Sequence, residues 1–304
     1  MIDKKVRWET MFPDELEAAF AECPLLYLTY GLCEPHGPQN AVGLDALKAH
    51  TIACLAARAH GGIVAPPDYW HINELGGYAI WAHEWIGEVP RTWVTSVPPW
   101  VHFKNVLYQL RQADAIGFQG VILLTGHYGP NWEDLKTLVK LVQPYIRARL
   151  YSLPDFEANT PGFDGDGNSG GDHAGRVETS LLMALMPELV DLERVPDEMG
   201  VHPYAMGLSV SESDRRIGER MVADEVRYLG ERAAELLAAY QNTELPAPLT
   251  TFGQTEALWQ EVVWPELLKF CSMQNNWGAV ASPPEDSRWY ANWRVPELGG
   301  GPSR

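Results

Sequence analysis

Two short apolar runs, "PLLYLTYG" at Pro24 to Gly31 and "FQGVILLTGH" at Phe118 to His127, constrain this chain more than any other feature. Each has the length of a strand, and each leads through a turn into a segment of helical period. "LDALKAHTIACLAARAH" follows the first and is stopped by Gly61 and Gly62; "NWEDLKTLVKLVQPY" follows the second, with Asn131 at the expected N-cap and acids in the first turn. "GIVAPP" and "ARLYSLP" read as further strands and "WVHFKNVLYQLRQADAIG" as a further helix. This alternation predicts an α/β chain with a mainly parallel sheet and helices packed on it.

The remaining segments have less period. Asp68 to Trp100, rich in Trp, His, Pro and Gly, reads as a long irregular excursion of the kind that carries binding surface. "PGFDGDGNSGGDHAG" lacks the ligand spacing and closing glutamate of a calcium loop, and opens onto the helix "RVETSLLMALMPEL". "DRRIGERMVADEVRYLGERAAELLAAY" has Glu and Arg at i,i+4 and is most simply a solvated outer helix. The last 60 or so residues hold Trp259, Trp264, Trp277, Trp289 and Trp293, and either pack back on the body or reach a neighbouring subunit.

With 304 residues, 46% of them apolar, the chain can bury a full core, as one large α/β domain or two smaller ones. A net charge of −17 argues against general electrostatic binding of nucleic acid or an anionic membrane. No apolar run follows a basic start and none approaches the roughly 20 residues of a membrane span, so a cytoplasmic protein is expected. Cys23, Cys33, Cys54 and Cys271 form no C-x-x-C pair. Cys33 is expected to be structural, because its side chain points away from that of Glu34 if the backbone is extended.

The groups able to do chemistry gather in three turns, each after a predicted strand: Glu34, His36 and Asp45; then His127; then His173 and Glu178. Loops leaving the carboxyl ends of parallel strands share one edge of the sheet, so these groups can converge. Glu34 and His36, two apart at the end of an extended segment, point to the same face. Asp45 falls near a helix start, where the macrodipole favours a carboxylate. Carboxylate and imidazole donors of this kind suit zinc, manganese or iron(II). Gly37, Gly43, Gly126 and Gly129 bracket the turns, as expected where backbone approaches an ion or substrate closely. His50 and His60 are expected to be partly exposed; His71, His83 and His102, in or beside the Trp-rich excursion, are assigned no role.

"CEPHGPQNAVGLD", "LLTGHYGPN" and "HAGRVETSLLMAL" resemble, in that order, the three signature segments of the creatininase (creatinine amidohydrolase) family, over roughly Leu25 to Leu185. The resemblance implies a three-layer α/β/α sandwich with a mainly parallel central sheet, read here as one domain over 1–304 with a Trp/Pro-rich extension at about 243–304. It implies a two-metal centre, with two divalent ions per chain, that hydrolyses a cyclic or linear amide of a small molecule by a hydroxide held between the ions. It also implies a homo-oligomer, since many members are hexamers. Carried over by position, Glu34 and His127 bind one ion, His36 binds the other, Asp45 bridges them, and His173 shuttles a proton. Gly129 stands where creatininase itself has a further ligand; Glu178, placed about one turn and a half into its helix, is the candidate to complete the set.

The chain also departs from the family. Between Tyr151 and Asp172 it has no tryptophan to stack a flat substrate, Gln39 replaces the second histidine common after "EPHGP", and "GGYAIWAHEW" lacks the family's Gly-Thr turn. These departures argue against creatinine as substrate. The competing reading is lyase or isomerase chemistry at the same centre on a hydroxylated, sugar-like molecule; a sensor role finds no support in the chain's motifs or charge.

Overall fold

In the computed structural model, residues 5–72, 83, 87–128, 131–158, 172–196, 207, 209–273 and 284–290 are described. In chain order they form α1 (Pro13–Glu22), β1 (Leu25–Tyr30), α2 (Leu44–His60), β2 (Ile63–Val64), β3 (His71–Ile72), β4 (Ser96–Val97), α3 (Pro99–Ile116), β5 (Gly120–Thr125), α4 (Asn131–Val142), β6 (Arg149–Pro154), α5 (Arg176–Leu185), α6 (Arg215–Asn242), α7 (Phe252–Leu258) and α8 (Trp264–Leu267). The central sheet has the order β2-β1-β5-β6 and every pairing in it is parallel. Strands β1 and β5 lie in register from Leu25 opposite Gly120 to Tyr30 opposite Thr125.

Both strands are buried at every position, because the alternate side chains of each enter two different cores. Leu26, Leu28 and Tyr30 of β1, with Val121 and Leu123 of β5, pack against Phe103, Val106 and Leu110 of α3 and Leu135 and Leu138 of α4. Leu25, Tyr27, Ile122 and Leu124 face the other way, onto Ala49, Ile52, Ala53 and Ala56 of α2 and Leu229 and Ala233 of α6. The result is the expected three-layer α/β/α sandwich. Each of these larger side chains contributes about 1.5–3 kcal/mol by leaving water, so the two-sided burial explains why the strands are uninterrupted apolar runs.

Several expectations are sharpened. Helix α6 is solvated on one face only: Arg215 pairs with Glu219 and Arg227 with Glu231 outside, while Met221, Glu225, Leu229 and Ala233 are buried beneath. The excursion after Asp68 is not wholly irregular, since β3 and β4 pair in parallel within it, although 73–82 and 84–86, with Trp81 and Trp85, lie outside the described residues. Trp70 and Trp93 are exposed, and Trp100 packs on the core. Much of the C-terminal part packs back on the body: Leu258, Trp259, Val263, Leu267, Phe270 and Met273 join the core beneath α3 and α4. Residues 274–283 and 291–304, with Trp277 and Trp293, lie outside the described residues, as do 161–171 of the Gly/Asp-rich loop.

Helices α5 and α6 meet at Gly218, where an added Cβ would come within 1.9 Å of the Ser180 carbonyl oxygen. Backbone cannot yield there without separating the helices. Gly218→Ala is therefore expected to destabilise the protein by about 1–3 kcal/mol, read as a lower urea midpoint at unchanged slope; an unaltered midpoint would contradict this packing.

Candidate metal centre

Strands β1, β5 and β6 end side by side, and the residues that follow them build one site. After β1 the backbone turns through Gly37, which holds a positive φ of 71°. The same loop is tied down by Glu34 N donating to Val42 O at 2.9 Å. After β5, the Thr125 hydroxyl accepts from His127 N at 3.2 Å and donates to His127 O at 3.1 Å, which fixes the histidine's turn. Gly126 lets that turn close on α2: an added Cβ would come within 2.1 Å of Asp45 O.

Glu34, His36, Asp45, His127 and Glu178 all converge here, and all are buried. Asp45 is in the first turn of α2 and Glu178 in the first turn of α5, where helix dipoles favour negative charge. Helix α5 starts at Arg176, so Glu178 lies nearer its N-terminus than the expected turn and a half. Asp45 turns one oxygen to each imidazole: Oδ1 is 3.1 Å from His36 Nε2 and Oδ2 is 3.0 Å from His127 Nδ1. Glu34 Oε1 lies 3.1 Å from His127 Nδ1, and Glu178 Oε2 lies 3.6 Å from His36 Nε2. Three overlapping triads result, the fully buried Glu34–Asp45–His127 and His36–Asp45–Glu178 and, at the rim, Glu34–His36–His173, each with ligand atoms within 4.8 Å of one another.

The donor set suits cations. His36 Nδ1 is 3.0 Å from the Glu34 carbonyl oxygen, which can only accept, so that nitrogen carries the proton and the buried Nε2 is left without a hydrogen-bond partner in the structure. Three buried carboxylates around two imidazoles demand positive charge. Without a metal it comes from protons: burial works to lower His36 and His127, but Asp45 and Glu178 around the first, and Glu34 and Asp45 around the second, outweigh it and carry them up to about 9 and about 10.

His173 sits at the rim, its side chain 44% exposed. It stacks on His36 with ring centroids 4.6 Å apart and places Nε2 3.0 Å from the Pro35 carbonyl oxygen. Gln39 has a bracing task, donating from Nε2 to Ala174 O at 3.0 Å and so tying the first turn to the third. Cys33 is half-buried and burial pushes its thiol up, which suits a structural side chain. His50 is half-buried and His60 exposed, as expected. Gly129 and the Asn131 side chain lie outside the described residues.

Other residues of the site were not anticipated. His71 and His102 are buried behind His127, with His71 ring centroids 4.1 Å from His102 and 5.3 Å from His127. Burial keeps both neutral, His102 falling to about 3. Lys48 is wholly buried and donates to Glu178 Oε1 at 2.6 Å. The signal for it was present: a lysine three residues after Asp45, inside an otherwise apolar helix.

A parallel α/β/α sandwich with carboxylate and imidazole triads at the carboxyl edge of its sheet defines the class. The creatininase family model, described as creatinine amidohydrolase, matches residues 9–240, and the chain belongs to that family. Creatinine amidohydrolase of Pseudomonas putida is 27% identical over 210 residues, 63% of this chain and 74% of its own length. Among solved structures, a creatinine amidohydrolase (creatininase) crystal structure aligns with a TM-score of 0.61 at 22% identity, covering 76% of this chain and 98% of its own. A manganese creatininase structure aligns with a TM-score of 0.59 at 22% identity over the same shares, 76% and 98%.

Raised histidines make a stability statement. Their contribution to the metal-free fold is complete below the unfolded value of about 6.5 and is lost as pH rises through about 9 and 10. The melting temperature of metal-free protein is expected to fall between pH 7 and pH 10, and saturating divalent metal to flatten that fall. A metal-free melting temperature that rises over this window would contradict the cluster.

Proposed function

We propose that this chain is a metal-dependent amidohydrolase that cleaves the C–N amide bond of a small molecule. The carrying observation is Asp45, one carboxylate oxygen facing each of two buried imidazoles at 3.1 and 3.0 Å. Glu34, Asp45 and His127 would hold one divalent ion and His36, Asp45 and Glu178 a second, with zinc, manganese or iron matching the donors. Bound there, a pair of ions would supply a hydroxide nucleophile at neutral pH and would polarise a carbonyl.

The residues then divide the remaining work. His173, stacked on His36 yet half open to solvent, moves the proton to the departing nitrogen, a general-acid contribution of about 10²–10⁴ in rate. The backbone hydrogen bond to His36 Nδ1 keeps that ring's tautomer fixed. Between Tyr151 and Asp172 the sequence has no tryptophan to stack creatinine, and Gln39 is occupied as a brace; another cyclic or linear amide is the substrate of this reading. The free cysteines suit a reducing cytoplasm, and the exposed Trp70 and Trp93 suit a homo-oligomer, a hexamer by family likeness.

Elemental analysis of the purified protein is expected to give close to two divalent ions per chain, and Asp45→Ala to lose the second ion together with turnover. A full metal complement and unchanged turnover in that variant would sink the bridging role. Turnover in ¹⁸O-water is expected to place solvent oxygen in the acid product; product without it would favour the lyase or isomerase reading.

A further inference from the structure

A cavity of about 370 Å³ opens on the α3 side of the sheet. It is lined by Leu26, Leu28 and Tyr30 of β1, by Ala113 of α3 and by Trp8, which precedes α1. Alternate side chains of a strand share a face, so three residues of one strand can serve a single cavity. The Tyr30 hydroxyl is spent on Gln109, donating to Oε1 at 2.6 Å. No carboxylate or imidazole of the metal centre borders this space. Its volume and its apolar, aromatic lining suit a small organic molecule.

Charge narrows the class of that molecule. Two acids, Glu9 and Asp68, line the cavity, and among the described residues no lysine, arginine or histidine does. Glu9 is engaged by Arg7, whose Nε donates to it at 2.7 Å. Asp68 is half-buried and accepts from two neutral donors, Trp70 N at 2.8 Å and Asn105 Nδ2 at 3.2 Å; among the described residues no cation pairs with it. Burial pushes its carboxyl up, against the pull of those two hydrogen bonds. A carboxylate offers about four acceptor positions, so Asp68 can take a further donor.

We infer that this cavity is a second ligand site, separate from the metal centre, that takes a small aromatic amine in its protonated form. The ring packs among Leu26, Leu28, Trp8 and Tyr30, and the ammonium donates to Asp68, with two aromatic side chains at hand to attract the cation. A carboxylic acid is repelled by the same carboxylate, and a neutral molecule of the same shape forfeits the charge-assisted hydrogen bond. The site does not depend on the amidohydrolase reading. Tyr30 packs edge-on against His102 and His71, with ring centroids 5.6 and 6.2 Å away, so the occupant lies one side chain from the imidazoles behind His127.

Calorimetric titration of the purified protein with benzylamine at neutral pH tests this, with benzyl alcohol and benzoate as comparisons. Benzylamine is expected to bind with a dissociation constant of about 1 mM or tighter, and the two comparison molecules at least about tenfold more weakly. Asp68→Asn keeps the shape and removes the charge; it is expected to weaken benzylamine by about tenfold or more. Gln112→Trp, at an exposed lining position, fills the space and is expected to abolish binding. Stripping metal with EDTA is expected to leave the affinity unchanged, which separates this site from an amine held by a metal ion. The ratio of benzylamine to benzyl alcohol affinity in the wild type tests the charge without any substitution. No binding by the wild type, equal affinity for benzylamine and benzyl alcohol, binding unaltered by both substitutions, or binding lost with EDTA overturns the proposal.

Discussion

The site depends on one carboxylate shared between two imidazoles. Asp45 can reach both His36 and His127 because it stands at the start of α2, beside the ends of β1 and β5, and because Gly126 has no side chain to keep the β5 turn away. Everything else at the edge answers to that sharing. Glu34 and Glu178 flank the two histidines, the backbone of Glu34 fixes one ring, and Lys48 balances charge from behind.

Such a cluster is costly without cations, since three carboxylates are buried where water cannot reach them. The fold tolerates it by several local means: two helix N-termini, two imidazoles that take up protons when no metal is present, and one enclosed ammonium. In the proposed reading, the same groups serve catalysis when those protons are exchanged for metal. Stability and function are therefore coupled at Asp45 through what occupies the space between the triads.

Much of the architecture was legible in the residues. Unbroken apolar runs such as "LLYLTY" announce strands covered on both faces, and the Glu34–His36 spacing and the helix start at Asp45 follow from local geometry. Depth was not legible. Lys48 stands out in a mostly apolar helix, but its partner Glu178, 130 positions away, shows only when the fold brings the two together. His71 and His102 were assigned no role because only tertiary packing brings the two-residue strand of His71 and the helix of His102 behind His127, and the buried stripe of α6 was masked by its many exterior ion pairs. The placement of the C-terminal tryptophans likewise depends on tertiary packing: Trp259 and Val263 pack beneath α3 and α4 through a π-helical turn that no simple period foretells.

Manganese anomalous scattering from crystals of metal-loaded protein tests the central claim most directly. Two peaks are expected in each chain, one enclosed by Glu34, Asp45 and His127 and the other by His36, Asp45 and Glu178, with Asp45 touching both. A single peak, or a pair that Asp45 does not bridge, would contradict the account.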